Sequence, residues 1–153
     1  LVGDTNATLP PNLSQLSDGI NPPIGPLGGI YAGAKWAKDI ASDTAHSWLL
    51  TAPVDGPHFP IDFVAHAEPF MATRTPIIAR YGEDFYPVCG LWPLEMALDI
   101  PALLEKQSGY ALRPMLKHLE AQEIDFEQFY SQNPFTNANK IADLLALCGQ
   151  MGR

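Results

Sequence analysis

The sequence predicts an α/β layer fold with some antiparallel pairing, and three observations point to it. Helical and extended patterns alternate along the chain. Fifteen Pro and 12 Gly cut those patterns into short elements joined by shaped loops. A length of 153 residues with 46% hydrophobic side chains suits one compact domain, so residues 1–153 are read as a single unit.

The elements follow in order. Asn6 to Pro26 holds the pairs Pro10-Pro11 and Pro22-Pro23, which disfavour helix, and it reads as a surface connection. A helix is predicted to begin near Pro26, a residue suited to a first turn, because Leu27, Ile30, Tyr31 and Ala34 recur at helical spacing. His46 to Ala52 is short and mostly apolar, as in a strand buried on both faces of a parallel sheet. Pro53, Asp55, Gly56, Pro57 and Pro60 then force a stiff turn that carries Asp55 near the carboxyl end of that strand. Ile61 to Phe70 suits a helix with Asp62 in its first turn and Phe63, Val64 and Ala67 on one face. Pro76 to Tyr81 and Phe85 to Trp92 form a hairpin-like pair around Gly82-Glu83-Asp84. Pro93 to Lys106 and Arg113 to Gln122 are helical in pattern, Glu123 to Tyr130 resembles a short edge strand, and Asn139 to Cys148 reads as a closing helix.

Composition excludes several functions. The net charge is −8 and no Lys/Arg cluster interrupts the acidic background, which argues against a nucleic-acid backbone as partner. A small anion would need a local device such as a helix N-terminus, placed bases or a metal ion. No apolar run reaches the roughly 18 residues that cross a bilayer, and the start LVGDTNATLP lacks the regions of a signal peptide, so a soluble, cytoplasmic protein without membrane contact is expected. Cys89 and Cys148 fit no C-x-x-C spacing and read as buried free thiols.

Ligands of open α/β sheets bind beyond the carboxyl ends of the strands, where helix N-termini also point. Gly25 to Gly29 gives a helix start of low bulk that lets backbone approach a planar base or a phosphate; a tight packing turn is the plain alternative. Asp55 hangs from the nearby strand end, where it is a candidate ligand or a turn carboxylate. In Asn133-Pro134-Phe135-Thr136-Asn137-Ala138-Asn139 two amides one residue apart face one way if extended; the alternative is an Asx-turn with Asn139 capping the last helix. Arg113, just ahead of Pro114, is the best placed cation, with a surface salt bridge as its other reading. His58 is near Asp55 but lacks a second ligand at metal spacing, and the scattered His46, His66 and His118 accompany no nucleophile motif. Trp36, Trp48 and Trp92 read as core.

Asp18, seven residues before Gly25, the run Gly25-Pro26-Leu27-Gly28-Gly29-Ile30-Tyr31-Ala32-Gly33, and Trp48-Leu49-Leu50-Thr51-Ala52-Pro53-Val54-Asp55-Gly56-Pro57 together resemble the molybdenum cofactor guanylyltransferase family in order and spacing. Tyr86-Pro87-Val88-Cys89-Gly90-Leu91-Trp92-Pro93 and Phe135-Thr136-Asn137-Ala138-Asn139 resemble two later landmarks. The resemblance implies a Rossmann-like nucleotidyltransferase, three-layer α/β/α, with a mostly parallel sheet and an antiparallel strand pair. It implies Mg²⁺-dependent transfer of GMP from GTP to molybdopterin, the molybdenum cofactor, with release of pyrophosphate. Asp18, Gly25 and Gly29 would then surround guanine and ribose, with Asn6 on the nucleotide side. Asp55 would hold Mg²⁺, and Asn137, Asn139 and Arg113 would line the pterin side. Molybdoenzymes or cofactor chaperones would be downstream partners, and an oligomer is compatible with the pattern. Asn139-Lys140-Ile141 stands where the family usually has Asn-Thr-Pro, which keeps both asparagines but alters the cap.

The reaction so implied sets two polyanions against each other on an acidic protein, which requires a bridging divalent cation. In-line orientation supplies most of the acceleration, in keeping with the lack of an activated Ser or Cys. The family opens with a strand and a loop of pattern G-G-x-x-x-R-M followed by a lysine, and these do not occur in the sequence. Leu1 in place of Met favours a shortened or partly ordered front; a cradle from another polypeptide or lost catalysis are the alternatives. Rival readings are a cytidylyl- or sugar-phosphate nucleotidyltransferase of the same fold, and a non-catalytic pterin- or nucleotide-binding module.

Overall fold

The structure, a computed structural model, describes residues 13–17, 25–105 and 111–137. Helix α1 spans Pro26–Ile40 and starts where the sequence predicts, with Pro26 in its first turn and Lys38 in its last. Gly25 enters it at φ +62, a left-handed backbone that glycine tolerates best. Strand β1, Trp48–Thr51, follows; then α2, Phe63–Ala67, continues as a 3-10 turn over Glu68–Thr73. Pro69 explains the change, since it has no N–H to donate four residues back. Strands β2, Ile77–Tyr81, and β3, Asp84–Pro93, form the expected hairpin, with a register shift between Ile78 and Ala79.

The helical stretch expected over Pro93 to Lys106 is two helices, α3 over Leu94–Leu98 and α4 over Ile100–Glu105. Asp99 closes α3 by donating its N–H to Glu95 and Met96, and Pro101 cannot continue the ladder. Helix α5, Leu112–His118, ends earlier than the pattern to Gln122 suggests. Glu120 turns left-handed at φ +52, its N–H donating to Lys117 O at 3.2 Å while that of Ala121 donates to Leu116 O at 2.9 Å. Those two bonds are a Schellman stop. Strand β4 therefore starts at Gln122 and ends at Asp125, where the Asp125 carboxylate accepts the Glu127 N–H and starts a 3-10 turn over Phe126–Gln128. The expected closing helix from Asn139 to Cys148 lies outside the described residues.

The sheet order is β1-β3-β2-β4. Both β1 and β2 run antiparallel to β3, and β4 runs parallel to β2, so three of the four strands share one direction and β3 alone opposes them. Side chains alternate between two cores, as a pleated sheet requires. Ile78 and Trp92 face α1, α3 and α5, where Leu27, Ile30, Ala34, Leu94 and Met115 are buried. Ile77, Cys89 and Leu91 face the opposite layer of Phe63, Phe126 and Phe135. The result is the expected α/β/α sandwich. Gly90 allows β2 and β3 to approach, because a Cβ there would meet Ile77 O at 2.5 Å.

Two expectations need correction. β1 is not buried on both faces of a parallel sheet: it is the outermost strand, laddered antiparallel to β3, and Leu50 is 43% exposed. A short apolar run reports hydrophobic character but not which neighbours exist. Trp36 is 45% exposed rather than core. Trp92 is fully buried and Trp48 is half-buried beneath the Arg74 guanidinium, 5.4 Å from its ring centre.

Candidate functional site

The carboxyl end of β1 runs directly into the Pro-rich turn. Gly56 donates its N–H to Pro53 O at 3.5 Å and Phe59 to Gly56 O at 3.3 Å. Gly56 suits the bend sterically, since a Cβ there would stand 2.9 Å from the Pro53 ring. This turn leaves Asp55 exposed beside the start of α1.

Between α1 and β1 lies a cavity of about 540 Å³ whose lining includes Gly29, Gly33 and Trp36 on one side and Leu50, Pro53 and Asp55 on the other. The structure thus brings Gly29 and Asp55 to one space. Gly25 stands just outside it, next to Pro26, which does line it. Among the described residues the first turn of α1 has no side-chain cap and no acidic residue, so its N–H groups present the helix's positive end. Asp55 makes no hydrogen bond or ion pair with another described residue.

Pro53 and Val88 are shared with a neighbouring cavity of about 410 Å³, which Tyr86, Cys89, Phe135 and Asn137 also line. Burial, aided by the Asp55 charge, pushes the Cys89 thiol up to about 12, so at neutral pH it stays protonated and is no nucleophile. Phe85 separates this space from a third cavity of about 690 Å³, where Arg113 stacks its guanidinium 4.7 Å from the Phe85 ring centre beside Lys117. Arg113 therefore lies one cavity beyond Asn137. Asn6, Asp18 and Asn139 are outside the described residues. His58 is exposed and lines none of these three spaces.

Sequence reasoning missed Trp36 and Val88 as walls. A signal for the first existed: Gly29, Gly33 and Trp36 stand at i, i+4 and i+7, one stripe of the helix. Val88 had none, since its place depends on β3 running on past the carboxyl end of its antiparallel partner β1.

Among the described residues no group of three or more His, Cys, Asp or Glu side chains converges on a metal position. A Mg²⁺ ion bound through one carboxylate, waters and substrate phosphates needs no such cage, and the unengaged Asp55 carboxylate is an oxygen donor of that kind.

No family model matches the chain. Several curated relatives do. The molybdenum cofactor guanylyltransferase of Cereibacter sphaeroides is 34% identical over 122 residues, which cover 80% of this chain and 58% of that protein. The proteins of that name from Rhizobium rhizogenes and Acidiphilium cryptum are 32% and 30% identical, over 87% and 84% of this chain and 63% and 60% of their own lengths. The chain spans about three fifths of the length of these relatives, and over that span it is similar to molybdenum cofactor guanylyltransferases, which are nucleotidyltransferases.

Proposed function

We propose that the chain carries the site for transfer of GMP from GTP to molybdopterin, giving the guanine dinucleotide form of the cofactor and pyrophosphate. The observation that supports this is the pairing of Gly29 and Asp55 across one cavity that adjoins the cavity of Asn137 at Pro53 and Val88. Two substrates need two adjoining spaces with the reacting phosphates at the join.

In this reading the guanine and ribose of GTP lie by Gly25 and Gly29, with Asp18 and Asn6 on the same side. The pterin lies by Asn137 and Asn139, with Arg113 at its far end. A terminal phosphate oxygen of molybdopterin attacks the α-phosphorus of GTP, and the bond from that phosphorus to the α–β bridging oxygen breaks. Pyrophosphate leaves with that electron pair. The attacking phosphate is already ionised at neutral pH, so no protein base is required. Asp55 would hold Mg²⁺, which when bound neutralises charge on the two phosphates. The protein's share is orientation, and the start of α1 adds a fixed positive end for anionic groups. The protonated Cys89 agrees with direct transfer rather than a covalent protein intermediate.

The strand and G-G-x-x-x-R-M loop with which the resembled family opens would lie, in this reading, along the outer side of β1, the end strand of the four-stranded order. A cytoplasmic location fits substrates of this kind. The separate cavity lined by Tyr86 and Asn137 also favours a second reading, a module that binds the pterin without transferring nucleotide. Calorimetry with GTP and Mg²⁺ and, separately, with molybdopterin tests the two. Binding of both ligands together with turnover supports transfer, pterin binding alone supports the module, and binding of neither removes both. A turnover assay with CTP in place of GTP tests the cytidylyl alternative.

A further inference from the structure

We infer that Tyr86 and Asn133 form a clasp that positions Asn137 on the pterin side of the site, a role that rests on the guanylyl-transfer reading above. Tyr86 stands half-buried on β3 with its ring centre 5.0 Å from that of Phe135. Its hydroxyl accepts a hydrogen bond from Asn133 Nδ2 at 2.5 Å, while Asn133 Oδ1 accepts the N–H of Phe135 at 3.0 Å. One amide group thus closes a local turn and ties that turn to a strand 47 residues earlier in the chain. The Thr136 hydroxyl donates back to Asn133 O at 3.3 Å, and Phe135 is 2% exposed, edge-on to Phe126 with ring centres 5.0 Å apart.

Everything up to Phe135 is anchored on both sides, by the amide to β3 and by the ring to the core. Thr136 and Asn137 then emerge exposed onto the cavity that Tyr86 also lines. Asn137 is only two residues beyond the anchored ring, so its distance from Pro53, and from the Asp55 turn, is set by the clasp. Uncharged amides recognise by geometry rather than by field, which makes their placement matter more than that of a cation. Tyr86 and Asn133 are thus positioning residues.

Tyr86→Phe is the first test, because it keeps the ring on Phe135 and removes only the acceptor. Amide hydrogen exchange at Phe135 and Asn137 is expected to quicken about tenfold, with Ile78 in β2 unchanged. Affinity for molybdopterin by calorimetry is expected to fall about fivefold, and that for GTP with Mg²⁺ to stay within about twofold. With Tyr86 in place, Asn133→Asp should leave both readouts at wild-type values, since a carboxylate still accepts the Phe135 N–H and can accept the Tyr86 proton. Combined with Tyr86→Phe it should restore neither. Unchanged exchange at Phe135 and Asn137, or equal loss of affinity for the two ligands, overturns the clasp. Quickened exchange in Tyr86→Phe, with wild-type protein that binds no pterin, instead overturns the transfer reading and with it the role given to the clasp.

Discussion

Asp55, in the turn after β1, adds its charge to the burial that holds the Cys89 thiol on β3 up at about 12, well above the ordinary 9.0. The folded state therefore keeps a proton that the unfolded chain gives up near its ordinary value. A raised folded value contributes stability that is intact below pH 9.0 and is lost as pH climbs toward about 12. The full loss is on the order of 4 kcal/mol. Urea unfolding between pH 8 and 11 should show falling stability in wild type and a visibly flatter slope in Cys89→Ala. The variant itself should cost about 1 kcal/mol near neutral pH, for the lost packing. Equal slopes in the two proteins would refute this account of Cys89.

Asp55→Asn should separate chemistry from folding. The carboxylate is exposed and makes no hydrogen bond or ion pair with another described residue, so the midpoint of thermal unfolding should shift by no more than about 2 °C. Guanylyl transfer, measured in a protein that includes the family's opening strand and loop, should fall about a hundredfold or more. Metal-dependent turnover near the wild-type rate in that variant would show that Asp55 is not the metal anchor.

The parts of this fold that were legible in the sequence are those with local signatures. Pro26 ahead of Leu27, Ile30 and Ala34 marked α1, and two β-rich runs around Gly82 marked the β2–β3 hairpin. What was not legible depended on distant partners. The run Trp48–Thr51 is apolar enough for a central strand, yet its place at the sheet edge is decided by β3, which pairs with it from some forty residues away. The end of α5 escaped notice because Glu120, not glycine, takes the left-handed turn. For the site the same division holds. Asp55 could be placed at a strand tip and Gly29 at a helix start, and the general rule for α/β sheets brings such positions together. The bond from Asn133 to Tyr86 joins residues that no spacing rule connects.

Tyr130 donates its hydroxyl proton to the Asp62 carboxylate, and His66 lies on the other carboxylate oxygen at 3.2 Å. The Tyr130 bond is the main cause that holds Asp62 below its ordinary 3.8, and Asp62 in turn raises Tyr130. A depressed carboxylate contributes stability that is present above 3.8 and is lost as pH falls through the folded value. Asp62 is 45% exposed, so solvent limits the contribution to less than about 1 kcal/mol. Tyr130→Phe should move the Asp62 titration, followed by carboxyl carbon NMR, upward toward 3.8, and shrink the acid-side loss of stability. A titration that does not move would mean the hydrogen bond is absent in solution.

Glu120 occupies the position at which a Schellman stop usually places glycine, and its φ of +52 is one that a side-chain-bearing residue adopts at a cost. The two closing hydrogen bonds, to Lys117 and Leu116, use backbone alone, and Glu120 enters no salt bridge among the described residues. Glu120→Gly removes the Cβ clash while freeing the unfolded chain, and the first effect is the larger at a left-handed residue. The variant should therefore be more stable than wild type by about 0.5 to 1 kcal/mol in urea unfolding, with no change in the slope against denaturant. Glu120→Ala, which keeps a Cβ at the same φ, should gain nothing. If glycine and alanine shift the midpoint alike, the left-handed backbone at this helix end is not what limits stability there.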